Sequence, residues 1–308
     1  MTAAAPIPAD LQLAADELLQ SAIMGELPVV IVEGFDDVRL YEAFADHAGV
    51  ECDVVASENI LSEKEGCEGV IANIDIVESV SNGVDISKHI VGIIDRDARY
   101  FRDEIPASTA ILMLNLYSIE SHFVGEETVR RMLSSVLNAP LGLVQEINID
   151  EAYASVVAKL MMAYPISLEA LKNACVRDYN SEVGYSDRIR SVFLSGALPR
   201  IHAKRADLDI FANGLHISNC WNDLLLICKG KWLLDLFCDY IHELISELPK
   251  RCAARQLTQC QYCLNGTHAK CLYRWRENYT SAHLRGMALG YVDLPDFAYI
   301  RNRLQTLG

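Results

Sequence analysis

Three times before Gly125, the chain runs a short apolar stretch straight into acids. Pro28–Tyr41 reads PVVIVEGFDDVRLY, His89–Arg99 reads HIVGIIDRDAR, and Ala110–His122 reads AILMLNLYSIESH. Apolar runs this short, bounded by turn residues, are the signature of buried strands. Strands that are apolar on both faces belong to parallel sheets covered by helices. Val29–Val32, Cys52–Ala56, Ile90–Ile94 and Ile111–Leu114 are therefore the expected strands. Between them, Asp36–Gly49 carries Val38, Leu40, Tyr41 and Phe44 at helical intervals, and Glu63–Val80 does so with Val70, Ile71, Ile74 and Val77. Ala9–Met24 is a lead-in helix with Asp10 as its candidate cap. Alternation of this kind predicts the α/β class, a parallel sheet flanked by helices.

After about Glu126 the pattern becomes helical. Glu127–Leu137, Ile149–Tyr164, Leu168–Arg177, Tyr185–Leu194 and Trp221–Leu248 all have helical spacing, the last interrupted or begun at Cys228–Lys231. The punctuation at Asn138-Ala139-Pro140-Leu141-Gly142 places a transition near 125–140. The expected organisation is a helix over 1–26, an α/β domain over 27–135 and a mainly α-helical domain over 136–308. No apolar run approaches the ~18 residues of a membrane span. The N-terminus lacks the basic and apolar regions of a secretion signal. A cytoplasmic protein without a membrane is the expectation.

The net charge of −15 is uneven. Residues 1–150 hold 8 Lys and Arg against 27 Asp and Glu, whereas 251–308 hold 8 against 3. So acidic a first half cannot bind nucleic acid through its whole surface, because phosphate affinity comes from Lys and Arg. Any such grip falls to local arginines or to the C-terminal stretch.

All strand C-termini of a parallel sheet lie at one edge, where α/β folds place their sites. Taken singly, each acid has an ordinary reading. Glu33 could cap a helix, Asp36 and Asp37 could answer the helix dipole, and Asp95, Asp97 and Glu120 could be loop or surface acids. Together, Glu33, Asp95-x-Asp97 and Ser118-x-Glu120 offer enough hard oxygen ligands for one or two Mg²⁺ ions. Two such ions ~4 Å apart stabilise the attacking and leaving oxygens of phosphodiester cleavage.

Glu33-Gly34 after one strand and Asp95-Arg96-Asp97 after another resemble the Toprim domain of topoisomerases, primases and overcoming-lysogenisation-defect (OLD) nucleases. Asp37, four residues after Glu33, and Ser118-x-Glu120 look most like the OLD branch. VEGFDDVRLY, GIIDRDAR and YSIESH are similar to a Toprim-containing family of bacterial anti-phage effectors, those of the PARIS system. The resemblance covers residues 28–122, with a weaker echo at Gly230-Lys231. It implies Glu33, Asp95 and Asp97 as primary Mg²⁺ ligands, with Asp37, Ser118 and Glu120 as ligands or supports of a second ion. It also implies a catalytic lysine, for which Lys231 is the first candidate and Lys229 the second; both could equally be a basic helix start. Arg96 and Arg99 could reach a substrate phosphate or pair with the neighbouring carboxylates.

The function so implied is a Mg²⁺-dependent endonuclease, a toxic effector that cuts RNA, in particular tRNA, on release from an ABC-type ATPase of the same system. A homodimer is natural if two sites must meet two phosphates. The alternatives are an OLD-like DNA nuclease and a non-catalytic Toprim scaffold of an ATPase complex. Topoisomerase chemistry would need a large gate, and primase chemistry an N-terminal zinc module; neither pattern is present. No Gly-rich phosphate loop occurs, which argues against ATP hydrolysis by this chain.

Near the end of the chain, Cys260-x2-Cys263-x4-His268-x2-Cys271 offers three thiolates and an imidazole, a candidate structural Zn²⁺ set in which Cys252 could replace one member. The alternative is reduced cysteines on a packed helix–loop–helix. Cys175, Cys220, Cys228 and Cys238 sit among apolar neighbours, as core cysteines do. Arg251, Arg255, Lys270, Arg274, Trp275, Arg276 and Arg285 make this segment basic and aromatic. Arg274 and Arg276 are its candidates for gripping RNA phosphates, a solvated basic face being the alternative. His122 could line the acidic site or be a satisfied structural histidine.

Overall fold

The computed structural model describes residues 14–60 and 64–308. The chain forms two compact units: residues up to Asn115 together with Val292–Gly308, and Leu116–Tyr291.

The first unit is α/β. Its strands are β1 (Val29–Val32), β2 (Asp53–Ala56), β3 (Ile90–Ile94) and β4 (Ile111–Met113). All pair in parallel, in the order β2-β1-β3-β4. The central strands are buried along their whole length, which is why they are continuous apolar runs and do not alternate. The α-helices before β3 are α1 (Ala15–Met24), α2 (Phe35–Ala48) and α3 (Gly66–Val80). The part of the lead-in helix expected before Ala14 and the expected start of α3 at Glu63 lie outside the described residues.

Gly92 explains how α3 reaches β3. A Cβ there would stand 2.7 Å from Val70 Cγ1 and 3.0 Å from Ile74 Cγ1. Only a residue without a side chain lets the helix lie this close to the strand. Val70, Ile74 and Val77 then join Ile31, Ile90 and Ile94 in one apolar cluster.

The expected terminal helical domain over 136–308 is corrected at its far end. The last segment returns to the first unit, where Phe297 packs on Phe44 with ring centroids 4.6 Å apart. Arg303 Nη2 donates to the Ser87 carbonyl at 2.8 Å, and the Gly308 amide to that of Lys88 at 2.7 Å. The physical reason is the apolar face of α2. Tyr41 and Phe44 are buried on α2, and the Ala298–Leu304 helix, with buried Ile300 and Leu304, packs against it. The transition expected near 125–140 falls instead at Asn115/Leu116.

The second unit is helical. Its main axis is the Gly230–Ala253 helix, which buries Leu234, Phe237, Ile241, Ile245, Leu248 and Cys252 along one stripe. The expected break at Cys228–Lys231 is there, separating this helix from Trp221–Ile227. Tyr185–Leu194 is helical only from Ile189. Cys228 and Cys238 are core, whereas Cys175 is half-buried and Cys220 exposed.

Ile149–Leu160 continues through a 3-10 turn into Tyr164–Cys175, with Pro165 in the first turn, where its missing N–H costs nothing. By length and composition this stretch could cross a membrane, but 61% of its apolar window is buried inside the protein. Within it, fully buried Glu169 takes hydrogen bonds from Lys204 Nζ at 2.8 Å, Tyr179 Oη at 2.7 Å and the Glu182 amide at 2.7 Å. A carboxylate so satisfied belongs to a protein interior.

Candidate functional site

The strand order places a topological switch point between β1 and β3. From β1 the chain moves outward to β2, then crosses back to β3 on the other side. α2 follows β1 and the 3-10 turn Ala98–Arg102 follows β3; in α/β folds a switch point of this kind is where sites form, at the strand ends. Glu33 and Asp95 are the first residues past β1 and β3. They meet: Glu33 Oε1 accepts a hydrogen bond from the Asp95 amide at 2.8 Å. The Glu33 carbonyl in turn accepts from Ser57 Oγ at 2.8 Å, so the tip of β1 is held from both neighbouring strands.

Asp97 lies two residues further on, at φ 36° and ψ −156°, a strained conformation for any residue with a side chain. Its Oδ1 accepts from the Arg99 amide at 2.5 Å and starts the 3-10 turn Ala98–Arg102. Asp36 and Asp37 both open α2, but Asp36 is exposed and Asp37 is half-buried, and Asp37 acts on Glu33 electrostatically.

Burial pushes the Glu33 carboxyl up to about 7. The Asp95 amide opposes this rise, while the charges of Asp37 and Asp97 add to it and Arg99 again opposes it. Asp97 is raised as well, chiefly by burial. The result is a set of carboxylates that repel one another and that a cation would relieve. Their oxygens suit a hard ion such as Mg²⁺, which Glu33, Asp37, Asp95 and Asp97 could hold.

Arg99 takes the second of its two expected roles. It is buried, with Nη2 2.7 Å from Glu68 Oε1, and is spent on that ion pair. Arg96 lays its guanidinium over the Tyr100 ring, 3.3 Å from the centroid. Neither is presented to solvent as an unengaged phosphate clamp.

Ser118 and Glu120 belong to the second unit and are both buried there. Ser118 Oγ donates to Glu120 Oε2 at 2.5 Å. Gly230, which opens the long helix, packs directly on this pair: a Cβ would overlap Ser118 Oγ and stand 3.0 Å from Glu120 Oε2. The surface reading of Glu120 is therefore corrected. Lys229, just before, donates from Nζ to the Tyr185 carbonyl at 2.7 Å. Burial and the neighbouring Lys231 lower its pKa, while Glu120 opposes the shift. Lys231 is exposed on the first turn and lines a cavity of about 860 Å³ with Arg188, Trp232, Asp235 and Arg285. His122 proves structural. It is buried, its Nδ1 lies 3.2 Å from the Ser118 carbonyl, and burial lowers it to about 4. A carbonyl only accepts, so Nδ1 carries the proton of a neutral ring.

At the cysteine-rich end, the thiols of Cys252, Cys260, Cys263 and Cys271 come together, a set that could hold a metal ion. His268 is corrected out of it: it is exposed in the 3-10 turn His268–Lys270. The sequence spacing favoured His268, but that turn aims it at solvent, while the end of the long helix delivers Cys252. Arg274 and Arg276 are exposed, each tied by one hydrogen bond to a backbone carbonyl, Ala269 at 3.1 Å and Leu137 at 3.2 Å.

Three residues at the acidic edge escaped the sequence reading. Glu58 follows β2 as Glu33 follows β1, and its Oε1 stands 3.6 Å from where a Gly34 Cβ would be. An apolar run into Ser57-Glu58 was the available signal. Tyr41 and Tyr299 are both raised well above the ordinary tyrosine range, first by burial and in part by Asp95. Nothing in the sequence ties Tyr299 to an acid so distant along the chain.

No family model matches this chain, and no curated protein matches it either.

Proposed function

We propose that the chain is a Mg²⁺-dependent phosphodiester hydrolase, a nuclease of the Toprim type. The observation that supports it best is the meeting of Glu33 and Asp95 at the switch point, with Asp37 and Asp97 beside them. Acids gathered at such an edge cost stability through burial and mutual repulsion. A divalent cation relieves that repulsion, and when bound it polarises a phosphoryl oxygen and lowers the pKa of water. Glu33, Asp37, Asp95 and Asp97 hold and orient; Asp95 in addition fixes the Glu33 carboxylate through its own amide.

The substrate class in this reading is RNA, and tRNA first, with the chain acting in the cytoplasm as a toxic anti-phage effector restrained by an ABC-type ATPase. The resemblance of VEGFDDVRLY, GIIDRDAR and YSIESH to that family supports the assignment. The acidic first half is consistent with it, since a basic partner surface would mask such a field.

The test is cleavage of tRNA, other RNA and DNA by the purified chain with and without Mg²⁺, beside Glu33→Ala and Asp95→Ala. Metal-dependent cutting lost in both variants supports the reading. Cutting that survives in both defeats it, and binding of the ATPase without any cutting would favour the scaffold.

A further inference from the structure

Among the described residues, the side chains whose ligand atoms gather closely enough to hold a metal ion stand at the far end of the Gly230–Ala253 helix. The sulfurs of Cys252, Cys260, Cys263 and Cys271 all lie within 4.8 Å of one another, and all four residues are buried. We propose that these four thiolates hold one structural Zn²⁺ ion, which clips the end of the long helix to the loop that follows it.

The spacing decides between the chemistries open to four clustered thiols. Zinc–thiolate bonds of about 2.3 Å in a tetrahedron set neighbouring sulfurs about 3.8 Å apart. Cys260 Sγ and Cys271 Sγ are 3.9 Å apart. A disulfide would bring two sulfurs to about 2.05 Å. An iron–sulfur cluster would spread them, because each thiolate then sits on its own or a shared iron of a multinuclear core. One ion at the centre fits; a bond or a cluster does not.

The surroundings are those of charged sulfur. The Leu272 amide donates to Cys260 Sγ at 3.5 Å and the Cys260 amide to Cys252 Sγ at 3.4 Å. Backbone donors aimed at ligand sulfurs orient them and offset their charge, as the outer contacts of metal sites do. The ligands come from three elements: the last turn of the long helix, the short Gln261–Leu264 helix with its preceding residue, and the position after the His268–Lys270 turn.

This stretch has little else to hold it. Leu264, Asn265, Gly266, Thr267, His268, Ala269 and Lys270 are exposed without a break, so the loop buries almost no apolar surface of its own. Short segments of that kind are stabilised by metals or cross-links. The chain just beyond the last ligand, Cys271, is held in place. Tyr273 Oη donates to the Thr258 carbonyl at 2.9 Å, and Asn138 N and Arg276 N bind the Arg274 and Val136 carbonyls at 3.0 and 2.8 Å. The ion thus sets the register at which Arg274, Trp275 and Arg276 lie against the end of the Glu126–Val136 helix. None of this depends on hydrolysis at Glu33.

The test uses the full chain expressed in zinc-supplemented medium. Elemental analysis should give one Zn per chain, retained in His268→Ala and lost in Cys263→Ser. Exchange for Co²⁺ should give the absorption of a tetrahedral four-thiolate site, unchanged in His268→Ala. Chelation should lower the melting temperature and expose four more thiols to titration. Should Cys263→Ser fail to fold, the wild-type and His268→Ala cobalt spectra still decide. Substoichiometric zinc with no effect of chelator, iron in place of zinc, a disulfide within the set, or loss of metal in His268→Ala would each overturn the proposal.

Discussion

Glu33 Oε1 accepts a 2.8 Å hydrogen bond from the amide of Asp95, joining the tips of the two central strands. That bond favours the ionised carboxylate, yet burial and the charges of Asp37 and Asp97 outweigh it and leave Glu33 near 7. A neutral isostere should therefore stabilise the metal-free protein. Glu33→Gln is expected to raise stability at pH 8 by on the order of 1–2 kcal/mol, to abolish the stabilisation added by Mg²⁺, and to remove Mg²⁺-dependent cleavage. Thermal melts with and without Mg²⁺ check all but the last. The sign follows from linkage: a raised acid contributes stability below its unfolded pKa, and loses it as pH rises towards 7.

Asp36 and Asp37 separate by exposure. Asp37→Asn should weaken Mg²⁺ binding by tenfold or more, whereas Asp36→Asn, altering a solvated charge, should change it less than twofold. Calorimetric titration of Mg²⁺ into each variant distinguishes them, and equal effects would remove Asp37 from the ligand set.

The two lysines should differ in kind. Lys229 is engaged with the Tyr185 carbonyl, so Lys229→Met should cost about 1–2 kcal/mol of stability through an orphaned, part-buried acceptor. Lys231 is exposed, so Lys231→Met should leave stability within about 0.5 kcal/mol. A large loss of cleavage in Lys231→Met with an unchanged melt would then assign it a chemical role, and unchanged cleavage would deny one.

Gly230 is fitted to Ser118 and Glu120 by the absence of a side chain. Gly230→Ala should destabilise by about 1–3 kcal/mol, the cost of overpacking. Adding Ser118→Gly should recover part of it, because the two changes share one contact. Strict additivity in denaturant melts would show that the clash is relieved elsewhere.

His122 should contribute to the acid sensitivity of the second unit. Its pKa is depressed to about 4 by burial, so the unfolded chain binds a proton that the folded one refuses between about pH 6.5 and 4. The stability it contributes is full above about 6.5 and is lost as pH falls to about 4. His122→Gln should flatten that part of the stability–pH curve. Urea melts across the window would show no difference if His122 titrates normally.

Much of the first unit could be read from Val29–Val32 and Ile90–Ile94, because a strand buried on both faces must be apolar throughout. The end of each run, and hence the acid beyond it, is a local property, and Glu33 and Asp95 were found that way. Strand order is not local. Only the folded sheet sets β1 beside β3, and so turns two separate strand-end acids into a bonded pair. The same holds for the partners that come from afar. Phe297 on Phe44, Gly230 on Ser118 and Cys252 in place of His268 are decided by packing between segments distant in the chain. Spacing counts residues, and it could place four candidate ligands near one another along the backbone. Which four sulfurs converge depended on where a helix ended and which way a 3-10 turn faced.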